Sequence, residues 1–340
     1  MRKRVTPIIS SMAFACVAVI LSGCSFGLQP LPNTVQEQLN DAVDQGMDGI
    51  IVCVNRPDDI QLYAAGWENR ENQIPADPHA LFKIASISKL YIAAATTRLV
   101  ADEQLSLDKT LAKYIPEVTG RIEFSDQITL EMMLQHRSGI VDYSFEPEVT
   151  GETFDDYLSF AARIYDKSAV FEPNKKYRYS NTNYLLIGEI IDRTLGYAHH
   201  TYIRDELLTP LSLSDTYNIP AEVDMNDLMS GYLKGWEPDV KDWEYPLPGG
   251  SMIATAEDVS VFLRALIDGS LLSPEEQTIY TSVYPYEHTG WLPGYTSIAR
   301  YQPDIDAVVV QFVNTSGKEI YWLELNRLYK RIVRILEMNH

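Results

Sequence analysis

Cysteine is scarce in this chain of 340 residues, with three in all: Cys16, Cys24 and Cys53. That excludes a small scaffold held together by disulfides. Histidine is sparse too, with six residues. No H-E-x-x-H pair or Cys/His cluster occurs, so the sequence lacks the signature of a zinc hydrolase, and no metal or cofactor is expected. No serine lies in a G-x-S-x-G elbow, which removes the usual marker of a Ser-His-Asp hydrolase. Basic residues are outnumbered, 28 against 47 acidic, for a net charge of −19. With no basic patch and no aromatic-basic interleaving, a nucleic-acid partner is excluded. Internal repeats and low-complexity tracts are absent as well. The length suffices for a sizeable core, in one large domain or two intertwined lobes.

What is present begins at the N-terminus. Arg2, Lys3 and Arg4 precede a nearly uncharged apolar stretch, Pro7 to Leu21. It is too short to read as a spanning helix and fits the hydrophobic region of a signal peptide. It ends in Leu21-Ser22-Gly23-Cys24, which resembles the lipobox of bacterial lipoproteins. That resemblance implies cleavage after residue 23, acylation of Cys24, and a lipid-anchored protein of the bacterial envelope facing the periplasm or the exterior. Removing residues 1–23 would leave 25 basic against 47 acidic residues, a net −22. With Cys24 acylated, Cys53 has no partner; its apolar run, Gly49 to Val54, makes it a buried strand residue.

The expected organisation is a signal peptide over 1–23, a tether over 24–34, an α/β lobe from 35–100 and 250–340, and a mainly helical lobe over 101–249. Residues 25–33 hold Gly and two prolines without helical periodicity. A helix is expected over Val35–Asp44, stopped by Gly46. Strands are expected at Gly49–Val54 and Gln61–Gly66, and a buried helix from Ile84 to Val100. Further helices fall at Leu130–Gln135, Phe154–Ile164, Asn183–Leu195, Tyr202–Leu208 and Thr255–Ile267, the last with Thr255 as N-cap. Two strands, Gly294–Tyr301 and Asp306–Val313, flank the turn Gln302-Pro303-Asp304, and a helix over Ile320–Met338 ends the chain.

Chemistry concentrates first in Ser86-Ile87-Ser88-Lys89. Positions i and i+3 share a helix face, so the hydroxyl and the amine can meet. The surroundings are apolar: Ile84, Ala85, Ile87, Leu90, Ile92 and three alanines. A lysine there loses hydration and its pKa falls. An unperturbed lysine is neutral in about one molecule in a few thousand at pH 7. A fall of about three units leaves roughly a third neutral and able to take a hydroxyl proton. A second S-x-x-K, Ser106 to Lys109, lies in a polar, turn-like stretch where the amine stays hydrated, and is rejected. Tyr179-Ser180-Asn181 follows a turn and precedes an apolar helix, a place from which a phenol and an amide can face a cleft. His288-Thr289-Gly290 stands before the C-terminal strands, where a glycine at a strand edge admits a substrate backbone. Of the other histidines, His199 and His200 read as solvated. His136 reads as ordering the turn Arg137-Ser138-Gly139.

This ordered set, Ser86-x-x-Lys89, Tyr179-Ser180-Asn181 and His288-Thr289-Gly290, resembles the three active-site motifs of serine penicillin-recognising enzymes. The Tyr-x-Asn form resembles the class C branch: class C β-lactamases, D-alanyl-D-alanine carboxypeptidases and family VIII-type esterases. Flanking segments are similar as well, among them Phe82 to Ala85, Leu134 to Ile140, Pro210 to Thr216 and Gly249 to Asp258. The resemblance implies an α+β fold, an antiparallel sheet flanked by helices with an inserted all-α lobe. It implies Ser86 as nucleophile, with Lys89 and Tyr179 sharing proton transfer. Asn181, His288, Thr289 and Gly290 would bind substrate, and the backbone N–H groups of Ser86 and Trp291 would form the oxyanion hole.

Two departures bear on the substrate. His288 replaces a lysine typical of β-lactamases, and Trp291 is bulky where a small or hydroxylated residue is common. Residues 267–287 also hold no Lys or Arg, although related carboxypeptidases place a carboxylate-binding cation nearby. These features favour an uncharged ester or amide, whereas an envelope location favours a peptidoglycan-type peptide. A D,D-carboxypeptidase, a weak β-lactamase and a non-catalytic penicillin-binding lipoprotein stand as alternatives.

Overall fold

The computed structural model describes residues 30–145, 156–317 and 319–339. The apolar N-terminal stretch, the lipobox and Cys24 lie outside the described residues.

Helix α1 spans Val35–Asp44 and is opened by a capping box in which Thr34 and Glu37 satisfy each other's backbone N–H groups. It leads into β1 (Gly49–Arg56), β2 (Asp59–Asn69) and the short β3 (Ile74–Pro75). Helix α2 (Ser88–Ala101) follows, then a largely helical stretch that includes α3 (Leu130–Leu134) and α4 (Asn181–Leu195). Helices α5 (Ala256–Asp268) and α6 (Pro274–Val283) come next, then β4 (Glu287–Leu292), β5 (Tyr295–Gln302) and β6 (Ala307–Val313). Helix α7 (Glu319–Met338) closes the chain.

The six strands form one antiparallel sheet in the order β3-β2-β1-β6-β5-β4. N-terminal and C-terminal strands meet where β1 pairs with β6, Cys53 opposite Val310. Both faces of these central strands are covered. Ile51, Cys53, Val308, Val310 and Phe312 face the core shared with α2 and α5. Ile50, Val52, Val54, Val309 and Val313 face the one shared with α1 and α7. Double coverage explains why β1 and β6 read as continuous apolar runs instead of alternating ones. Cys53 is fully buried, and burial pushes its thiol up to about 12.

The sequence reading places most elements within a few residues. Helix α6 and strand β4 were not expected. The N-terminal part of α6 is polar, but Ser273, Pro274 and Glu276 form a capping box with proline at the first turn. Part of the helix expected from Phe154 lies outside the described residues; the described part is Tyr157–Ala161, followed by a 3₁₀ turn to Ile164. The chain also rejoins the α/β part earlier than residue 249. Thr216–Tyr217 pairs with Ile253–Ala254, and Tyr232–Leu233 with Thr315–Ser316. Two-residue strands leave no periodic signal to read. His199 is buried, not solvated as expected: Asp192 accepts its backbone N–H and bonds its Nδ1 at 2.7 Å, tying the chain back onto α4.

Candidate active site

Ser86 lies in the single 3₁₀ turn Ala85–Ile87 that runs directly into α2. Ala85 takes a left-handed backbone, φ +53°, which costs a non-glycine residue about 1–2 kcal/mol. The surroundings hold it there. The Ile84 N–H donates to Met252 O at 3.1 Å, and Ile84 O accepts from Ser297 Oγ at 2.9 Å. Strand β4 presses on the same turn through Gly290. A Cβ there would stand 2.4 Å from Ile84 O, 2.2 Å from Ser297 Oγ and 3.0 Å from Ala85 Cβ. The glycine thus serves close packing of strand on turn.

Lys89 is 1 % exposed, and its Nζ has three oxygens around it: Ser86 Oγ at 3.0 Å, Asn181 Oδ1 at 3.0 Å and Gly249 O at 2.7 Å. Burial pushes its pKa down to about 7, with Asp142 pulling weakly the other way. A neutral amine has two N–H donors and one lone pair. Asn181 Oδ1 and Gly249 O can only accept, so they take both donors. The lone pair is then left facing the Ser86 hydroxyl. The Asn181 amide cannot flip freely, because its Nδ2 donates to Asp142 Oδ2 at 3.2 Å.

Tyr179 approaches from the other side, its hydroxyl donating to Ser86 Oγ at 2.8 Å. Burial raises its pKa above the ordinary phenol value, so it is protonated at neutral pH. His136 packs against the Tyr179 ring with centroids 4.4 Å apart. Lys89 and Tyr179 therefore both reach the Ser86 hydroxyl oxygen, and Asn181, 95 positions along the chain from Ser86, joins the cluster through Lys89 Nζ. Ser106 and Lys109 do not share in this. Both are exposed, and Lys109 Nζ sits 4.2 Å above the Tyr114 ring.

With this geometry in view, the comparisons with known proteins are decisive. The sequence model of the beta-lactamase family matches residues 33–284. The chain belongs to the beta-lactamase family. The match ends just before His288-Thr289-Gly290. Among curated members, penicillin-binding protein 4 of Amycolatopsis lactamdurans is 26 % identical over 229 residues, 65 % of this chain and 59 % of that protein. Protein flp of Staphylococcus aureus is 24 % identical over 247 residues, 69 % of this chain and 49 % of the relative. The chain thus spans only about half the length of these relatives. Solved structures share the fold. The D-amino acid amidase of Ochrobactrum anthropi SV3 complexed with L-phenylalanine amide superposes with TM-score 0.80 at 23 % identity, over 91 % of this chain and 99 % of that one. A class C beta lactamase of Rhodobacter sphaeroides gives 0.72 at 19 %, over 89 % and 99 %. The expected α+β fold is therefore found.

In this beta-lactamase family member, His288 and Thr289 stand on β4 and line the same cleft as Tyr179. His288 is half-buried, its Nδ1 lies 2.5 Å from Thr289 O, and its ring stacks parallel to Tyr284 at 5.9 Å. Burial and the neighbouring Lys89 push its pKa down to about 3, so it carries no charge at neutral pH. Trp291 follows Gly290 on β4 with half its surface exposed.

Four contributors had not been given roles from the sequence. Asp142 had no local signal at all. The Gly249 carbonyl belongs to a Gly-Gly pair whose first member has φ +78°, and a backbone oxygen is invisible to any reading of side chains. Arg137 and Asn174 bind each other beside the cleft.

Proposed function

We propose that this protein is a serine hydrolase that cleaves an ester or amide through an acyl-enzyme. The observation that carries the reading is the buried amine of Lys89, whose two acceptor-only partners leave its lone pair for the Ser86 hydroxyl. Lys89 takes the hydroxyl proton as Ser86 Oγ bonds to the substrate's acyl carbon. The bond to the leaving group then breaks, and that group receives a proton from Tyr179, which recovers one from Lys89. Water attacks the acyl-enzyme next. Its proton passes to Lys89 and on to Ser86 Oγ as the acid is released.

The developing oxyanion is assigned to the backbone N–H groups of Ser86 and Trp291. Packing of Gly290 against Ala85 supports this assignment, since the next residues along the two segments are Trp291 and Ser86. Asn181 holds Lys89 and is assigned to the acyl side of the substrate. His288 and Thr289 are assigned to the other side, in the cleft beyond Tyr179. We place the protein at the bacterial envelope, anchored through acylated Cys24; that placement rests on the sequence.

A fluorophosphonate or fluorescent penicillin probe tests the reading. The wild-type protein should gain one adduct, mapped to Ser86 by peptide mass, and Ser86→Ala should gain none. Labelling that persists in Ser86→Ala, or that fails in the folded wild type with both probes, would remove acyl transfer as the function.

A further inference from the structure

Resting on the acyl-transfer reading above, we propose that Lys83 is a positioning residue for Lys89, acting through the Gly249 carbonyl. Its ammonium holds one end of the segment 243–253 and its backbone holds the other.

Lys83 stands three residues before Ser86 and is 3 % exposed. Its backbone pairs with Ile253, in the short ladder that also sets Phe82 against Ala254. Its Nζ donates to Lys241 O at 2.5 Å and to Trp243 O at 2.7 Å. Gly249 lies within the segment closed in this way, and its carbonyl accepts from Lys89 Nζ at 2.7 Å.

An ammonium is a costly filling for a core position, because burial strips away its hydration. Burial lowers the Lys83 pKa to about 8, while Asp242, Glu244 and Asp239 pull the other way, so the charge persists at neutral pH. A methionine would occupy much the same space without that cost. What it could not do is hold two carbonyls.

The hold is passed on through a stiff stretch of chain. Between Trp243 and Gly249 the sequence reads Glu244-Tyr245-Pro246-Leu247-Pro248. Each proline fixes its own φ and restricts the residue before it to extended backbone. Pro248 bears on Gly188 of α4, where a Cβ would come within 2.6 Å of the proline Cγ. Gly249 then turns onto Lys89 with φ +78°; a Cβ on it would stand 3.1 Å from Lys89 Cγ and 3.3 Å from Nζ. A shift at Trp243 therefore displaces the Gly249 carbonyl. That carbonyl is one of the two acceptors that leave the Lys89 lone pair for Ser86.

Lys83→Met tests this, since it keeps the length of the side chain and removes the donors. Rates are read well below the unfolding midpoint, so that lost stability does not enter. Labelling of Ser86 by a fluorophosphonate should slow by about 10- to 100-fold, the cost of an ångström-scale misplacement. For an ester, kcat should fall likewise with KM little changed. Raising the pH should restore neither rate, because a misaimed amine stays misaimed when neutral. Hydrogen exchange in the peptide spanning Gly249 should quicken. Labelling at the wild-type rate, a loss confined to KM, full recovery at alkaline pH, or unchanged exchange at Gly249 overturns the assignment. If Lys83→Met does not fold, Lys83→Gln, which keeps two N–H donors one bond short of the carbonyls, is read in the same way. A wild type that does not label at Ser86 overturns acyl transfer itself. A wild type that labels no faster than the variant overturns only the role of Lys83.

Discussion

His136 Nδ1 accepts the backbone N–H of Ser180 at 3.2 Å, tying the middle of Tyr179-Ser180-Asn181 to the turn after α3. Tyr179 and Asn181, on either side of that bond, both act on the Ser86-Lys89 pair. Burial pushes the His136 pKa down to about 3. The imidazole is therefore neutral at working pH, with Nδ1 free to accept.

His136→Ala removes both the acceptor and the ring beneath Tyr179. Loss of a buried hydrogen bond of this kind costs about 1–3 kcal/mol, measurable as a lowered denaturation midpoint. Because Tyr179 and Asn181 would lose their alignment, kcat should fall far more than KM rises. His136→Phe, which restores the ring without the acceptor, should recover part of the stability. Equal changes in kcat and KM would argue against a positioning role.

The pH dependence follows from Lys89. Only the neutral amine can take the Ser86 proton, and burial has disfavoured the ammonium, so activity should rise with pH through about 7 and then level off. The plateau should persist to alkaline pH, since Tyr179 ionises above the ordinary phenol value. Asp142 favours the ammonium, so Asp142→Asn should move the rising limb to lower pH. A profile of kcat/KM against pH for both proteins reads this directly, and a limb moving upward would contradict the assignment.

Gly290→Ala forces a methyl group to within 2.4 Å of Ile84 O and 2.2 Å of Ser297 Oγ. Ile84 O is backbone and cannot swing aside, so strand and turn must separate, at a cost of about 1–3 kcal/mol. Turnover should fall by more than this stability loss explains, because the separation displaces the Ser86 and Trp291 N–H groups. Denaturant unfolding and ester hydrolysis on the same preparation check both halves.

The rejected S-x-x-K provides a control. Ser106→Ala and Lys109→Met alter exposed positions remote from the Ser86 cluster. Stability should change by no more than about 0.5 kcal/mol, with hydrolysis rates like those of the wild type. A large loss of activity in either would place this second serine-lysine pair in the chemistry instead of Ser86 and Lys89.

The sequence by itself determined the local pairings. Helical periodicity put Ser86 and Lys89 on one turn, and the apolar residues around them foretold a buried, partly neutral amine. Cys53 in its apolar run was legible as a core strand residue, and Gln302-Pro303-Asp304 as a turn between strands. Such features depend on backbone preferences and side-chain periods that act over a few residues. The tertiary structure alone decided which distant groups meet. Closure of the sheet from both chain ends brought Gly290 onto Ala85, and packing of the helical segment placed Asn181 and Gly249 O around Lys89. It also set Asp142 behind Asn181 and clamped Arg137 onto Asn174 beside the cleft. No local preference encodes these contacts, because each arises only when two surfaces, each shaped by many residues, are buried against one another.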